Sequence, residues 1–150
     1  MKSKIKTIFL AGLVAGLLDG TAAVVFLGKM NYSAVFKFVA SGLFGKSAFA
    51  GGNEMIIYGI IIHLLIAMTF AFLYYFSFSK ISFFSKNKII GGLLFGLLVW
   101  MIMNLLVLPF TNISHSPIIL ISAIKNILIL MICVGLPISL IMQKQYAINE

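Results

Sequence analysis

Arginine is absent from this 150-residue chain and acidic residues nearly so: Asp19, Glu54 and Glu150 stand against eleven lysines, for a formal net charge of +8. That imbalance raises the question of nucleic acid. The lysines flank apolar runs instead of lining one face, however, and no stacking platform or recognition motif accompanies them, so no nucleic-acid partner is expected. The single cysteine, Cys133, excludes an intramolecular disulfide and a thiolate metal cluster. There is no HExxH pair, nucleophile elbow or phosphate-binding glycine loop, and Ala40-Ser41-Gly42 lacks the context that would make Ser41 a nucleophile. His115, beside Pro117 in a short turn, reads as a solvated loop residue. The expectation is a protein that is not an enzyme, with no catalytic residue, metal site or cofactor.

What the chain has in excess is apolar surface. It is 62% hydrophobic with only 9% charged residues, and its mean hydropathy of +1.16 lies outside the range of soluble domains. Four apolar runs, 7–28, 55–78, 89–109 and 118–143, dominate it. Each reaches the roughly 20 residues that a helix needs to cross a hydrocarbon core of about 30 Å. The fold class that follows is all-α: a polytopic membrane protein in which residues 1–150 form one domain of four transmembrane helices, with the lipid bilayer as its first partner. The N-terminus resembles a signal peptide with Thr21-Ala22-Ala23 as a cleavage region, but Val24-Val25-Phe26-Leu27 carries the run past Asp19-Gly20 to spanning length. An uncleaved first helix is therefore expected.

Lysine placement sets the expected orientation, because cytoplasmic flanks of spanning helices are enriched in Lys and Arg. The side holding both termini carries Lys2, Lys4, Lys6, Lys80, Lys86, Lys88 and Lys144; the other carries Lys29, Lys37 and Lys46. Both termini are expected to be cytoplasmic. Pro109 should end the third helix, Pro117 suits the start of the fourth, and Pro137 should kink the fourth unless neighbours satisfy the freed carbonyl. The sequons at Asn31 and Asn112 read as coincidence.

The connection 29–54 holds Val35, Phe36, Val39 and Leu43 at helical spacing, with Ser33, Lys37 and Ser41 on another face. That is the pattern of a short amphipathic helix at the interface, ending near Gly42 to Gly45, with Gly51-Gly52 turning the chain into the second span. A re-entrant half-helix is the alternative.

Small residues recur every four positions: Gly12, Gly16 and Gly20 in the first span, Gly92 and Gly96 in the third, and Gly59, Ala67 and Ala71 in the second, where His63 falls in the same series and is therefore expected to point at a neighbouring helix and not at lipid. Such stripes let helix backbones come close. Gly12-Leu13-Val14-Ala15-Gly16-Leu17-Leu18 nearly repeats as Gly92-Leu93-Leu94-Phe95-Gly96-Leu97-Leu98, which suggests two helix pairs related about the membrane normal. Asp19, His63 and Lys125 are expected roughly 12 to 14 Å deep and Asn104 somewhat shallower. An ionised group at the bilayer centre costs about 2.5 to 3.5 kcal/mol, so these four should face protein or water. The expectation is that Asp19 pairs with Lys125, with His63 or Asn104 hydrogen-bonding to the pair, either as a clamp that fixes helix order or as a proton or solute site.

Gly12-x-x-x-Gly16, a histidine in the second span, Gly92-Leu93-Leu94-x-Gly96 and Leu108-Pro109 resemble the uncharacterised bacterial inner-membrane proteins of the YagU type, and Ala40-Ser41-Gly42-Leu43-Phe44-Gly45 with Gly51-Gly52 resembles segments of related small membrane proteins. The resemblance implies a four-helix domain in the bacterial inner membrane and supplies no catalytic residues; the connection 29–54 is shorter than the insertion of that type. The function expected is a structural or interaction role, as a homo-oligomer or as an accessory to another membrane protein. The alternative is a transporter or channel subunit with a polar intramembrane site formed by Asp19, His63 and Lys125.

Overall fold

The computed structural model describes residues 2–78, 81, 87–113 and 119–148, and every regular element among them is helical. Four helices are long and apolar enough to cross a membrane, Lys4–Leu27, Asn53–Ser77, Lys88–Phe110 and Leu120–Lys144, and each end falls within three residues of its hydropathy boundary. A shorter apolar helix, Tyr32–Phe44, and a single turn, Ser47–Ala50, connect the first two spans. Lys80, Lys86, Ser114, His115 and Pro117 lie outside the described residues. Large apolar side chains such as Phe9, Leu17, Ile61, Leu105 and Ile121 point away from the bundle. Their burial is left to lipid.

Lipid tails are as apolar as leucine, so spans associate through close packing and not through exclusion of water. The glycine stripes supply that packing within the chain. A Cβ on Gly12 would stand 2.7 Å from the Met68 Cα, and one on Gly16 would stand 3.1 Å from the Ala67 Cβ, so the first span lies backbone-close to the second. In the second pair, a Cβ on Gly92 would stand 2.9 Å from the Gly135 carbonyl oxygen, and one on Gly96 would stand 2.6 Å from that of Leu130. The two halves of the sequence repeat thus do the same work, each glycine pair holding its span against the next one along the chain. The first span also packs on the fourth, which joins the pairs, whereas the second and third spans barely touch.

Near the terminus-bearing end the bundle closes on Tyr74. Its ring meets Phe95 edge-on, with centroids 4.9 Å apart. Its hydroxyl donates to Ser139 Oγ at 2.8 Å, and Ser139 Oγ donates to the Lys88 carbonyl at 2.7 Å. Second, third and fourth spans are therefore tied at one buried point, where polar groups without partners would be costly.

Every span contains a π-helical stretch: Ala23–Leu27, Tyr74–Phe78, Ile102–Val107 and Leu130–Gly135. The last two each end two residues before a proline. Pro137 has no N–H for the carbonyl one turn back, and the preceding wide turn, in which Leu136 N–H bonds Met131 O five residues earlier, is where the ladder changes register. Pro109 stands in the same relation to Leu108 N–H and Met103 O.

The connecting helix Tyr32–Phe44 ends where expected, at Gly45, whose φ of +62° only glycine adopts without strain. Its facing differs from the expectation. Ser41 is buried and Lys37 half-buried, whereas Phe38, Leu43 and Phe44 are exposed. The reason is satisfaction by backbone: Lys37 Nζ donates to the Gly51 carbonyl at 2.6 Å, and Ser41 Oγ donates to the Phe38 carbonyl. Both polar groups turn toward protein and not toward water. The asparagines of the two sequons have structural work here. Asn31 Oδ1 accepts from Ala34 N–H as the N-cap, and Asn112 donates its N–H to the Gly42 carbonyl and its Nδ2 to the Leu43 carbonyl.

Gly12→Leu should force the first two spans apart, because the atom it meets is backbone. Its cost should be about 1–3 kcal/mol, measured by reversible unfolding in bilayers, with Leu13→Met as a control of near-zero effect.

Candidate functional site

At the end away from the termini, the gap between the second and third spans is a cavity of about 510 Å³. Ile62, Ile66 and Phe70 of the second span face Met103 and Val107 of the third across it, and Leu130 and Val134 of the fourth form its back. The connecting helix roofs it with Phe38, Val39, Gly42 and Leu43, beside Thr111 and Ile113. The roof is held in two places. Phe36 sits against Gly59, where any side chain would collide with its carbonyl, and Asn112 holds the helix C-terminus.

Into this apolar space open Asp19, His63, Asn104 and Asn126. Gly20 makes the first corner possible. The His63 ring lies in the room it leaves, such that a Cβ on Gly20 would stand 3.2 Å from Nε2. His63 Nε2 lies 2.9 Å from the Gly16 carbonyl oxygen, which can only accept, so the hydrogen is on Nε2. The same nitrogen lies 3.8 Å from Asp19 Oδ2, with both side chains 16% exposed. Phe36 packs against the imidazole edge-on, with centroids 6.2 Å apart. On the other side, Asn104 Nδ2 donates to the Trp100 carbonyl at 3.0 Å, which leaves its Oδ1 as an acceptor.

The expected Asp19–Lys125 pair is not formed. Lys125 is exposed and makes no ion pair among the described residues. The helix begins at Leu120, which puts Lys125 only about 8 Å from the span's end, within reach of the interface for a side chain of its length. Its neighbour Asn126 faces the cavity in its place. Successive helix residues point about 100° apart, so a depth estimate alone could not choose between them. The apolar spacing of Leu130 and Val134, one and two turns on and on the same side as Asn126, carries the signal that identifies it. Among the described residues no group of three or more His, Cys, Asp or Glu could hold a metal ion.

The arrangement offers one carboxylate, an imidazole whose proton is directed to a backbone carbonyl, and two amides, all in an apolar chamber. It suits recognition of a small molecule by one charged or hydrogen-bonding head and a hydrophobic body. No known protein family matches the chain, and no curated protein or solved structure matches it.

In double-mutant cycles, Asp19→Asn with His63→Phe should show a coupling of about 0.5 kcal/mol or more, as residues in contact do, and Asp19→Asn with Lys125→Met a coupling near zero. Unfolding in bilayers measures both.

Proposed function

We propose that this multi-pass membrane protein is a transporter or channel subunit whose working part is the chamber beneath the connecting helix, with Asp19 and His63 at its polar corner and Asn104 and Asn126 opposite. The observation that carries this reading is that the chamber reaches the polar residues and is bounded by all four spans and by the connecting helix. Polar groups needed only as glue would be expected to lie against each other in a packed core, as Tyr74 and Ser139 do. Asp19, by contrast, accepts no hydrogen bond from the described residues and borders open space.

A structural or accessory role, in which the chain works as an oligomer, rests on the small size of a four-helix bundle and on a polar layer that helix packing alone would explain. The glycine stripes add nothing to it, since Gly12, Gly16, Gly92 and Gly96 make contacts inside the chain.

Gly42 allows a direct test. A Cβ there would meet nothing closer than Thr111 Cγ2 at 3.8 Å, an ordinary contact distance, so Gly42→Phe should fill the chamber's outer part without displacing backbone. In proteoliposomes screened against ions, protons and small metabolites, the native protein should give a flux that Gly42→Phe suppresses while its unfolding midpoint stays close to native. The absence of any flux, or a flux indifferent to this substitution, would remove the transport reading.

For topology, the lysine bias supports a bacterial inner-membrane protein with both termini in the cytoplasm. With Cys133→Ser as background, a cysteine at Ser3 should resist a membrane-impermeant maleimide on intact cells, and one at Ser47 should react. The reverse pattern would invert the protein.

A further inference from the structure

We infer that the chamber takes an apolar organic cation, with the Asp19 carboxylate as its counter-charge; this rests on reading the chamber as a ligand site. Among the described residues, Asp19 is the only formally charged one lining it besides the titratable His63. Neither Lys37 nor Lys125 pairs with Asp19: Lys37 donates to the Gly51 carbonyl, and Lys125 is exposed outside the bundle. The imidazole gives its Nε2 hydrogen to the Gly16 carbonyl and lies 3.8 Å from Asp19 Oδ2, beyond hydrogen-bond distance, so the neutral ring leaves the carboxylate without a hydrogen bond. A carboxylate in such a place is costly until a positive charge or a strong donor joins it.

The walls decide what kind of cation. Ile62, Ile66, Met103, Val107 and Leu130 cannot replace the water shell of a small inorganic ion, and the described residues hold no cluster of three ligating side chains. A cation whose charge is spread over, or shielded by, apolar groups loses little hydration on entry. Phe38 and Phe70 add aromatic rings to the lining, and such rings attract a cation over their faces. Asn104 Oδ1 and the Asn126 amide remain available for a polar substituent. The chamber volume falls within the range that holds drug-sized ligands.

The test compares two probes of one shape and opposite charge, tetraphenylphosphonium and tetraphenylborate, by equilibrium binding to the full chain in nanodiscs of zwitterionic lipid, with empty nanodiscs subtracted. Tetraphenylphosphonium should bind saturably, tetraphenylborate should not, and Asp19→Asn should weaken the cation by about tenfold or more, the loss expected for a charge-assisted contact. The probe comparison needs no variant, so a misfolded Asp19→Asn would not blunt it. Preference for the borate, or undiminished cation binding in a folded Asp19→Asn, would overturn the cation assignment. If the borate binding were itself abolished by Gly42→Phe, the chamber would stand as a ligand site while the cation assignment fell. If neither probe bound, the cation assignment would be overturned and the proteoliposome screen would decide the chamber's role separately.

Discussion

Backbone proximity at glycine is the constraint on which this bundle depends. In lipid no solvent drives helices together, so the spans hold only where their surfaces fit at short range. Gly12 and Gly16 give the first span that fit against Met68, Leu64 and Ala67; Gly92 and Gly96 give the third span the same fit against Met131, Gly135 and Leu136. Each pair consumes one face of each of its helices. Between the pairs the main contact is the seam of the first span on the fourth, and the second and third spans stand apart except at Tyr74.

The cavity is the geometric remainder of that scheme. Two tightly paired helices joined along one seam close well at the Tyr74 end, where Phe95, Ser139 and the Lys88 carbonyl complete a polar and aromatic junction. At the other end no comparable side chain bridges the second and third spans. Branched and long apolar residues line the opening without filling it, and the polar groups of the first, second, third and fourth spans lie on its border. The room that glycine makes for helix contact is also the room in which His63 reaches the first span's backbone. Packing and polar chemistry share one stripe, with Gly12 and Gly16 taken by the close approach of the second span and Gly20 by the imidazole.

Much of this was legible in the sequence, for physical reasons that differ from residue to residue. The four spans were legible because length and hydropathy answer directly to bilayer thickness. The glycine stripes were legible because a four-residue period keeps to one helix face, and His63 was correctly turned toward a neighbour by its place among Gly59, Ala67 and Ala71. Which neighbour it meets was not legible, since that depends on interhelical register. Asp19 was matched with Lys125 because opposite charge is a conspicuous signal, but a long lysine near a helix end can reach water and has little need of a partner. Asn126 carried no charge and escaped notice. For the connecting helix, alternation of polar and apolar residues indicated a helix but gave its inner side incorrectly, because the Gly51 carbonyl and the helix's own Phe38 carbonyl satisfy Lys37 and Ser41 in place of water.

The connecting helix has a mechanical consequence. It is a rigid rod of thirteen residues, held to the second span through Phe36 on Gly59 and to the segment after the third span through Asn112 on Gly42 and Leu43. A flexible loop would let those two spans drift independently, whereas a rod pinned at both points works as a strut. Any widening of the gap beneath it must break one pin or tilt the whole rod, so motion at the roof and motion of the walls form a single degree of freedom.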